Sequence, residues 1–198
     1  MQIKPMFVGN LKYLNSIVIV LDEYVVARKP DGIDSKGKAI WNKNSEYTEL
    51  GALLHDYKYQ NKSENETVLA STLIDYLKNK EEYRTITHIT TPPSGKKGNS
   101  IVPIISLVAS ALNISYIDIF VKNQNFVMYD ENIEERKKYI DMFSCKQPLP
   151  KECELLIVDD FVESGATFAG CLKALETQGQ SSKNIKLLAF TFTKKAAF

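Results

Sequence analysis

The stretch from Glu154 to Thr167 constrains this chain more than any other. Leu155-Leu156-Ile157-Val158 is an unbroken apolar run with the length and bulk of a strand buried on both faces. Asp159 and Asp160 end it, and Phe161-Val162-Glu163-Ser164-Gly165-Ala166-Thr167 leads through a small polar turn. Phe168 to Glu176 then carries a helical pattern that stops near Gly179. The order is therefore strand, acidic pair, tight loop, helix N-terminus.

That order has chemical consequences. A helix begins with backbone N–H groups that lack intrahelical partners and with the positive end of its dipole, so a phosphate is the natural guest of Ser164, Gly165, Ala166 and Thr167. Gly165 permits the tight turn and a close approach of ligand to backbone. Asp159 and Asp160 sit where an acid at a strand's carboxyl end accepts hydrogen bonds from sugar hydroxyls. A loop that reads a phosphate beside acids that read a diol describes a site for ribose 5-phosphate.

The remaining sequence predicts the scaffold for such a site. Ser16–Leu21 and Glu23–Ala27 are β-branched apolar runs that suggest a hairpin joined at Asp22, and Lys29-Pro30-Asp31-Gly32 has turn chemistry. Helical spacing marks 46–59 (Leu50, Leu53, Leu54, Tyr57) and 64–78 (Val68, Leu69, Leu73, Ile74, Leu77). A strand over 85–90, a Pro-Ser-Gly-Lys loop from Thr91 to Gly98 and a helix over 100–112 follow. A strand over 115–121, a helix over 131–143 and a last strand over 185–193 complete the alternation. Alternating strand and helix predict an α/β fold with a mainly parallel sheet flanked by helices. Residues 1–45 read as a small β-rich N-terminal region and 46–198 as the core, within one compact domain overall.

Composition excludes several classes. The 198 residues carry a net charge of +1, which supplies no global field for nucleic acid or an anionic membrane. The apolar stretches are too short to span a bilayer, and the first residues lack a signal-peptide core, so a cytoplasmic place with no membrane role is expected. Cys145, Cys153 and Cys171 have no CxxC spacing and read as reduced thiols. His55 and His88 are the only histidines and read as a helix residue and a strand-flanking residue, which weighs against a His-based nucleophilic triad.

At this point the residues reach a known pattern. Ile157-Val158-Asp159-Asp160-Phe161-Val162-Glu163-Ser164-Gly165-Ala166-Thr167 resembles the phosphoribosyl pyrophosphate (PRPP) signature of type I phosphoribosyltransferases. More of the chain is similar to the competence-associated ComF-like branch. Leu53–Asn61 resembles its early helix ending in a Lys-Tyr element, Lys97–Ser100 its stretch after the pyrophosphate loop, and Glu135–Phe143 its Glu-Arg-Arg element. The likeness covers about residues 50–195 and departs from the branch in several places. The chain lacks the N-terminal four-cysteine module, has Lys97 for an Arg and Tyr139 for an Asn, and carries Glu163 in the phosphate loop as purine-salvage members do.

The resemblance implies a Rossmann-like type I fold with an N-terminal hood. It also implies an enzyme of nucleotide metabolism that transfers phosphoribosyl from PRPP to a nitrogen acceptor and releases pyrophosphate, with Mg²⁺ on the diphosphate. Asp159 and Asp160 would orient the ribose hydroxyls directly or through metal-bound water, and Ser164–Thr167 would hold the 5-phosphate. Ser94, Gly95, Lys96 and Lys97 would hold the pyrophosphate, and Glu163 would help deprotonate the acceptor. Acceptor contacts are open among the N-terminal tyrosines, Trp41, Asn123–Phe126 and Tyr129. Two further readings stay open: an accessory protein of DNA uptake or recombination that meets single-stranded DNA or DNA-processing partners through Lys96, Lys97, Arg136, Lys137 and Lys138, and a non-catalytic PRPP sensor. A homodimer is common among such domains.

Overall fold

Leu155, Leu156, Ile157 and Val158 are all fully buried, as expected of a strand with protein on both faces. The computed structural model describes residues 1, 3–27, 32–33, 39–40, 46–94, 99–123 and 135–193. In chain order the strands are β1 (Met6–Val8), β2 (Val18–Glu23), β3 (Val25–Ala27), β4 (Gly32–Ile33), β5 (Ala39–Ile40), β6 (Glu46–Tyr47), β7 (His88–Thr90), β8 (Ser115–Tyr116), β9 (Phe120–Lys122), β10 (Phe143–Cys145), β11 (Leu155–Val162) and β12 (Ile185–Phe192). The helices are α1 (Glu49–Tyr59), α2 (Asn65–Lys78), α3 (Val102–Leu112) and α4 (Ala166–Thr177).

The central sheet has the order β1-β2-β12-β11-β7-β8. Every pairing in it is parallel except the edge pair β1–β2. Helices α1, α2 and α3 cover one face, where Leu54, Leu69, Leu73, Ile104 and Ile105 cluster with Leu156, Val158, Leu188 and Phe190. The other face holds Phe168, Cys171 and Leu175 of α4, with Phe120 and Phe143, against Leu155, Ile157, Leu187 and Ala189. Two covered faces explain why β11 and β12 carry apolar runs rather than alternation. The expected α/β class with a mainly parallel sheet is the one observed.

Three expectations need correction. The N-terminal hairpin does not form: β2 pairs with β1 and β12, whereas β3 pairs with β6. A single intervening residue is too short for a hairpin loop, and β2 buries Val18, Val20 and Leu21 completely, which suits a sheet interior. The strand expected over 115–121 breaks in two. Its first part joins β7, and its second pairs with β10, a strand the sequence pattern did not reveal. The segment expected as a helix to Phe143 is instead a 3₁₀ stretch, Glu135–Met142, followed by β10. Only Tyr139, Ile140 and Met142 are half-buried there among the residues whose side chains are described, too little apolar burial to hold a regular α-helix.

Helix α1 starts at Thr48, whose hydroxyl accepts from Gly51 N–H at 2.9 Å and donates to Glu23 O at 2.6 Å. One side chain thus caps α1 and ties it to the end of β2. Thr48→Ala is expected to lower stability by about 1–2 kcal/mol, read as an earlier midpoint in chemical denaturation, because both bonds go.

Candidate functional site

Strand order decides where a ligand can sit. From β11 the chain crosses through α4 to β12 on one side, and from β7 it crosses through α3 to β8 on the other. The two crossovers lie on opposite faces, so the loops that follow β7 and β11 diverge. Between these neighbouring strands lies the topological switch point, the crevice where open α/β sheets take their ligands. Ile157 pairs with Thr90, which sets Thr91 and Pro92 level with Val158 and Asp159.

The acidic pair crowns this edge, and its two members face opposite layers. Side chains alternate along a strand, so Asp160 follows Leu156 and Val158 toward α1, and Asp159 follows Leu155 and Ile157 toward α4. On the α1 side Lys58 Nζ forms an ion pair with Asp160 Oδ2. On the α4 side Asp159 senses Lys122 of β9, and its charge in turn reaches Cys171. Burial pushes Asp159 up to about 6, against the opposing pull of Lys58 and Lys122. Burial also lowers Lys58 and Lys122, with Asp159 opposing in both cases. Asp159 Oδ1 accepts from Asp160 N–H at 2.9 Å, and Thr191 Oγ1 donates to Asp160 O at 3.1 Å.

Helix α4 begins at Gly165, whose φ of 77° places it in the left-handed region. Ser164 and Ala166 are buried, and Thr167 and Glu163 are half-buried. Ala166 N–H donates to Ser164 Oγ at 3.4 Å. The N-terminal turn from Leu11 to Leu14 lies on this loop: Tyr13 N–H donates to Ser164 O at 3.1 Å, and Leu11 and Leu14 close over the Gly165 Cα. The loop is therefore a braced cradle rather than a free turn.

No family model matches the chain. No curated protein matches it. Among solved structures it is similar to adenine phosphoribosyltransferase of Leishmania tarentolae, at 13% identity and a TM-score of 0.43 over 73% of this chain and 88% of that one. It is also similar to adenine phosphoribosyltransferase of Trypanosoma brucei, solved with AMP, pyrophosphate and ribose-5-phosphate, at 13% identity and a TM-score of 0.44 over 78% and 82% of the two chains.

Of the residues singled out by sequence, Asp159, Asp160, Glu163, Ser164, Gly165, Ala166 and Thr167 lie together at the carboxyl end of β11. Ser94 is exposed in the loop after β7. Gly95, Lys96 and Lys97 lie outside the described residues, as do Trp41, Gln124–Phe126 and Tyr129. Lys137 and Lys138 are exposed on the 3₁₀ stretch, with Lys138 Nζ 4.8 Å from the Tyr139 ring centre. Cys145, Cys153 and Cys171 are free thiols. None of the helices among the described residues is long and apolar enough to cross a membrane.

Three contributors were not read from the sequence: Lys58, Lys122 and the 11–14 turn. A row of rings was missed as well. Phe161, next to the acidic pair, meets Tyr24 edge-on at 5.4 Å, Tyr24 meets Tyr47 at 5.2 Å, Tyr47 meets His55 at 4.8 Å, and His55 meets Tyr59 at 5.3 Å. Only the Lys-Tyr ending of α1 offered a signal, since it placed Lys58 in a conspicuous element without saying what it faces.

As a magnesium site, the acidic pair fits poorly. The described residues contain no group of three or more His, Cys, Asp or Glu side chains able to hold a metal ion. Asp160 is already engaged by Lys58, and Asp159 points to the opposite layer near Lys122. Two carboxylates turned to different faces, each with an ammonium nearby, do not form a direct ligand set for a small octahedral cation.

Proposed function

We propose that this chain is a type I phosphoribosyltransferase-like protein that binds PRPP, or a ribose 5-phosphate ligand, in the crevice between β7 and β11. The observation that carries this reading is the Glu163–Thr167 loop at the switch point, braced by the 11–14 turn and preceded by two carboxylates in the second half of β11. Ser164–Thr167 hold the 5-phosphate with the first-turn N–H groups of α4. Asp159 and Asp160 accept from the ribose hydroxyls, and Ser94, Gly95, Lys96 and Lys97 hold the pyrophosphate. A magnesium ion would arrive on the diphosphate with its own water shell rather than reside on the acidic pair.

In the enzymatic form of this reading, a nitrogen acceptor displaces pyrophosphate at the anomeric carbon, with Glu163 helping to remove the acceptor's proton. Positioning and fixed electrostatics supply most of the acceleration. The ring row from Phe161 through Tyr24 and Tyr47 supports an acceptor side formed by the hood region. The finer ComF-like assignment rests on the sequence resemblance of Leu53–Asn61, Lys97–Ser100 and Glu135–Phe143. The free thiols support a cytoplasmic place.

The test is calorimetric titration of PRPP with Mg²⁺ into the wild type and into a variant carrying Asp159→Asn and Asp160→Asn, followed by a screen of nucleobases for pyrophosphate release. Binding that vanishes in the variant, with release on one base, is the expected result. Binding without release from any base identifies a PRPP sensor. A wild type that ignores PRPP overturns the reading, and binding of single-stranded DNA with a steep salt dependence would then favour the accessory role.

A further inference from the structure

Lys58 is an unusual cation. Its side chain and that of Asp160 are only 19% and 15% exposed, so the ammonium pairs with this carboxylate away from solvent while its charge also reaches Asp159. Its backbone is fixed from the other side of the crevice. Asn99 N–H donates to Lys58 O at 2.9 Å, Asn99 Nδ2 donates to Tyr57 O at 2.9 Å, and the Tyr57 hydroxyl donates to Ser100 O at 2.6 Å. The end of α1 is thus bound to the chain that returns from the loop after β7, and it presents Lys58 to the acid on β11.

A carboxylate that orients a sugar hydroxyl must stay charged and aimed. Divalent cations often do that work by neutralising one oxygen while the other accepts. Here Asp160 Oδ2 is taken by the ammonium, which leaves Oδ1 with lone pairs for a hydroxyl donor. We propose that Lys58 is the positioning residue of the ribose edge, taking the place of a metal ion on Asp160 so that this carboxylate receives a ribose hydroxyl without a divalent cation. The inference rests on the phosphoribosyl reading above and adds to it a built-in cation drawn from α1. Any dependence on magnesium then belongs to the diphosphate of a ligand and not to its ribose.

The experiment uses ribose 5-phosphate, which has no diphosphate, with inorganic phosphate as a control for the cradle alone. Calorimetry on the full chain is run with magnesium chloride and with a chelator, on wild type, Lys58→Met and Lys58→Arg, each checked for cooperative thermal unfolding. Wild type is expected to bind ribose 5-phosphate with affinities that agree within about twofold in the two buffers. Lys58→Met is expected to weaken ribose 5-phosphate about tenfold or more while leaving inorganic phosphate unchanged, the cost of an unheld charged acceptor. Lys58→Arg is expected to recover most of the loss, which a purely structural role would not produce alongside unchanged phosphate binding.

Magnesium-dependent binding of ribose 5-phosphate by wild type overturns the inference and leaves the phosphoribosyl reading intact. So does wild-type affinity in a folded Lys58→Met. The chelator comparison needs no variant, so it decides the matter if Lys58→Met does not fold. A wild type that binds neither ribose 5-phosphate nor PRPP overturns both.

Discussion

Gly165→Val is expected to unfold the protein at markedly lower denaturant and to abolish phosphate binding. Two effects add. The residue has a φ of 77°, a region that a β-branched side chain enters only with strain. A Cβ placed there would lie 2.7 Å from the Leu14 Cβ and 3.1 Å from the Leu11 Cβ, inside ordinary contact. Neither neighbour is the flexible tip of a long chain, so relief requires moving the 11–14 turn and breaking Tyr13 N–H to Ser164 O. Backbone strain and overpacking together cost roughly 2–5 kcal/mol, a large share of a typical domain's stability. The measurement is a denaturation midpoint paired with calorimetry using inorganic phosphate. A midpoint equal to wild type would show that the turn is not seated on the loop.

Asp159→Asn should act in two opposite directions, raising stability at neutral pH while removing the ribose ligand. Burial lifts Asp159 from its ordinary 3.8 to about 6, with Lys58 and Lys122 pulling the other way. The folded state therefore holds the proton more tightly than the unfolded chain. Raising the pH from below 4 through about 6 withdraws that proton and costs stability, so this group destabilises the fold above pH 6 and not below 4. At about 1.4 kcal/mol per pH unit the penalty at neutral pH is on the order of 3 kcal/mol. The amide carries no charge, so unfolding curves for the variant should lack the wild type's decline between pH 4 and 6 and should exceed it at pH 7. Binding should move oppositely, since the amide replaces an anionic acceptor with a weaker one, and PRPP affinity is expected to fall by about tenfold or more. A variant with unaltered pH dependence would show that Asp159 is well solvated. Stability sacrificed at one carboxylate is the pattern expected where a group is kept for ligand recognition.

Much of the candidate site's backbone was legible because its information is local. A four-residue apolar run ending in two acids and leading through a Gly-containing turn into a helix specifies its own backbone path, and Leu155–Thr177 folds along that path. Helices α2 and α3 were likewise evident from apolar spacing. Reading failed where pairing partners decide. β2 and β3 look alike as apolar runs, yet one enters the central sheet and the other pairs with β6. Glu135–Met142 has helix-forming residues but too little apolar burial, and Phe143–Cys145 is a strand only because β9 offers it an edge.

By itself the sequence determined the α/β class, the buried strand β11 and the chemical character of the loop that follows, because spacing, residue size and backbone permissiveness act within a few residues. The tertiary structure alone decided that β7 and β11 adjoin at a switch point, that Asp159 and Asp160 face opposite layers with Lys58 and Lys122 drawn to them, and that the 11–14 turn settles on Ser164 and Gly165. Those residues stand far apart in the chain, and no local rule encodes their meeting. It follows from which strands share hydrogen bonds and which helices cover each face of the sheet.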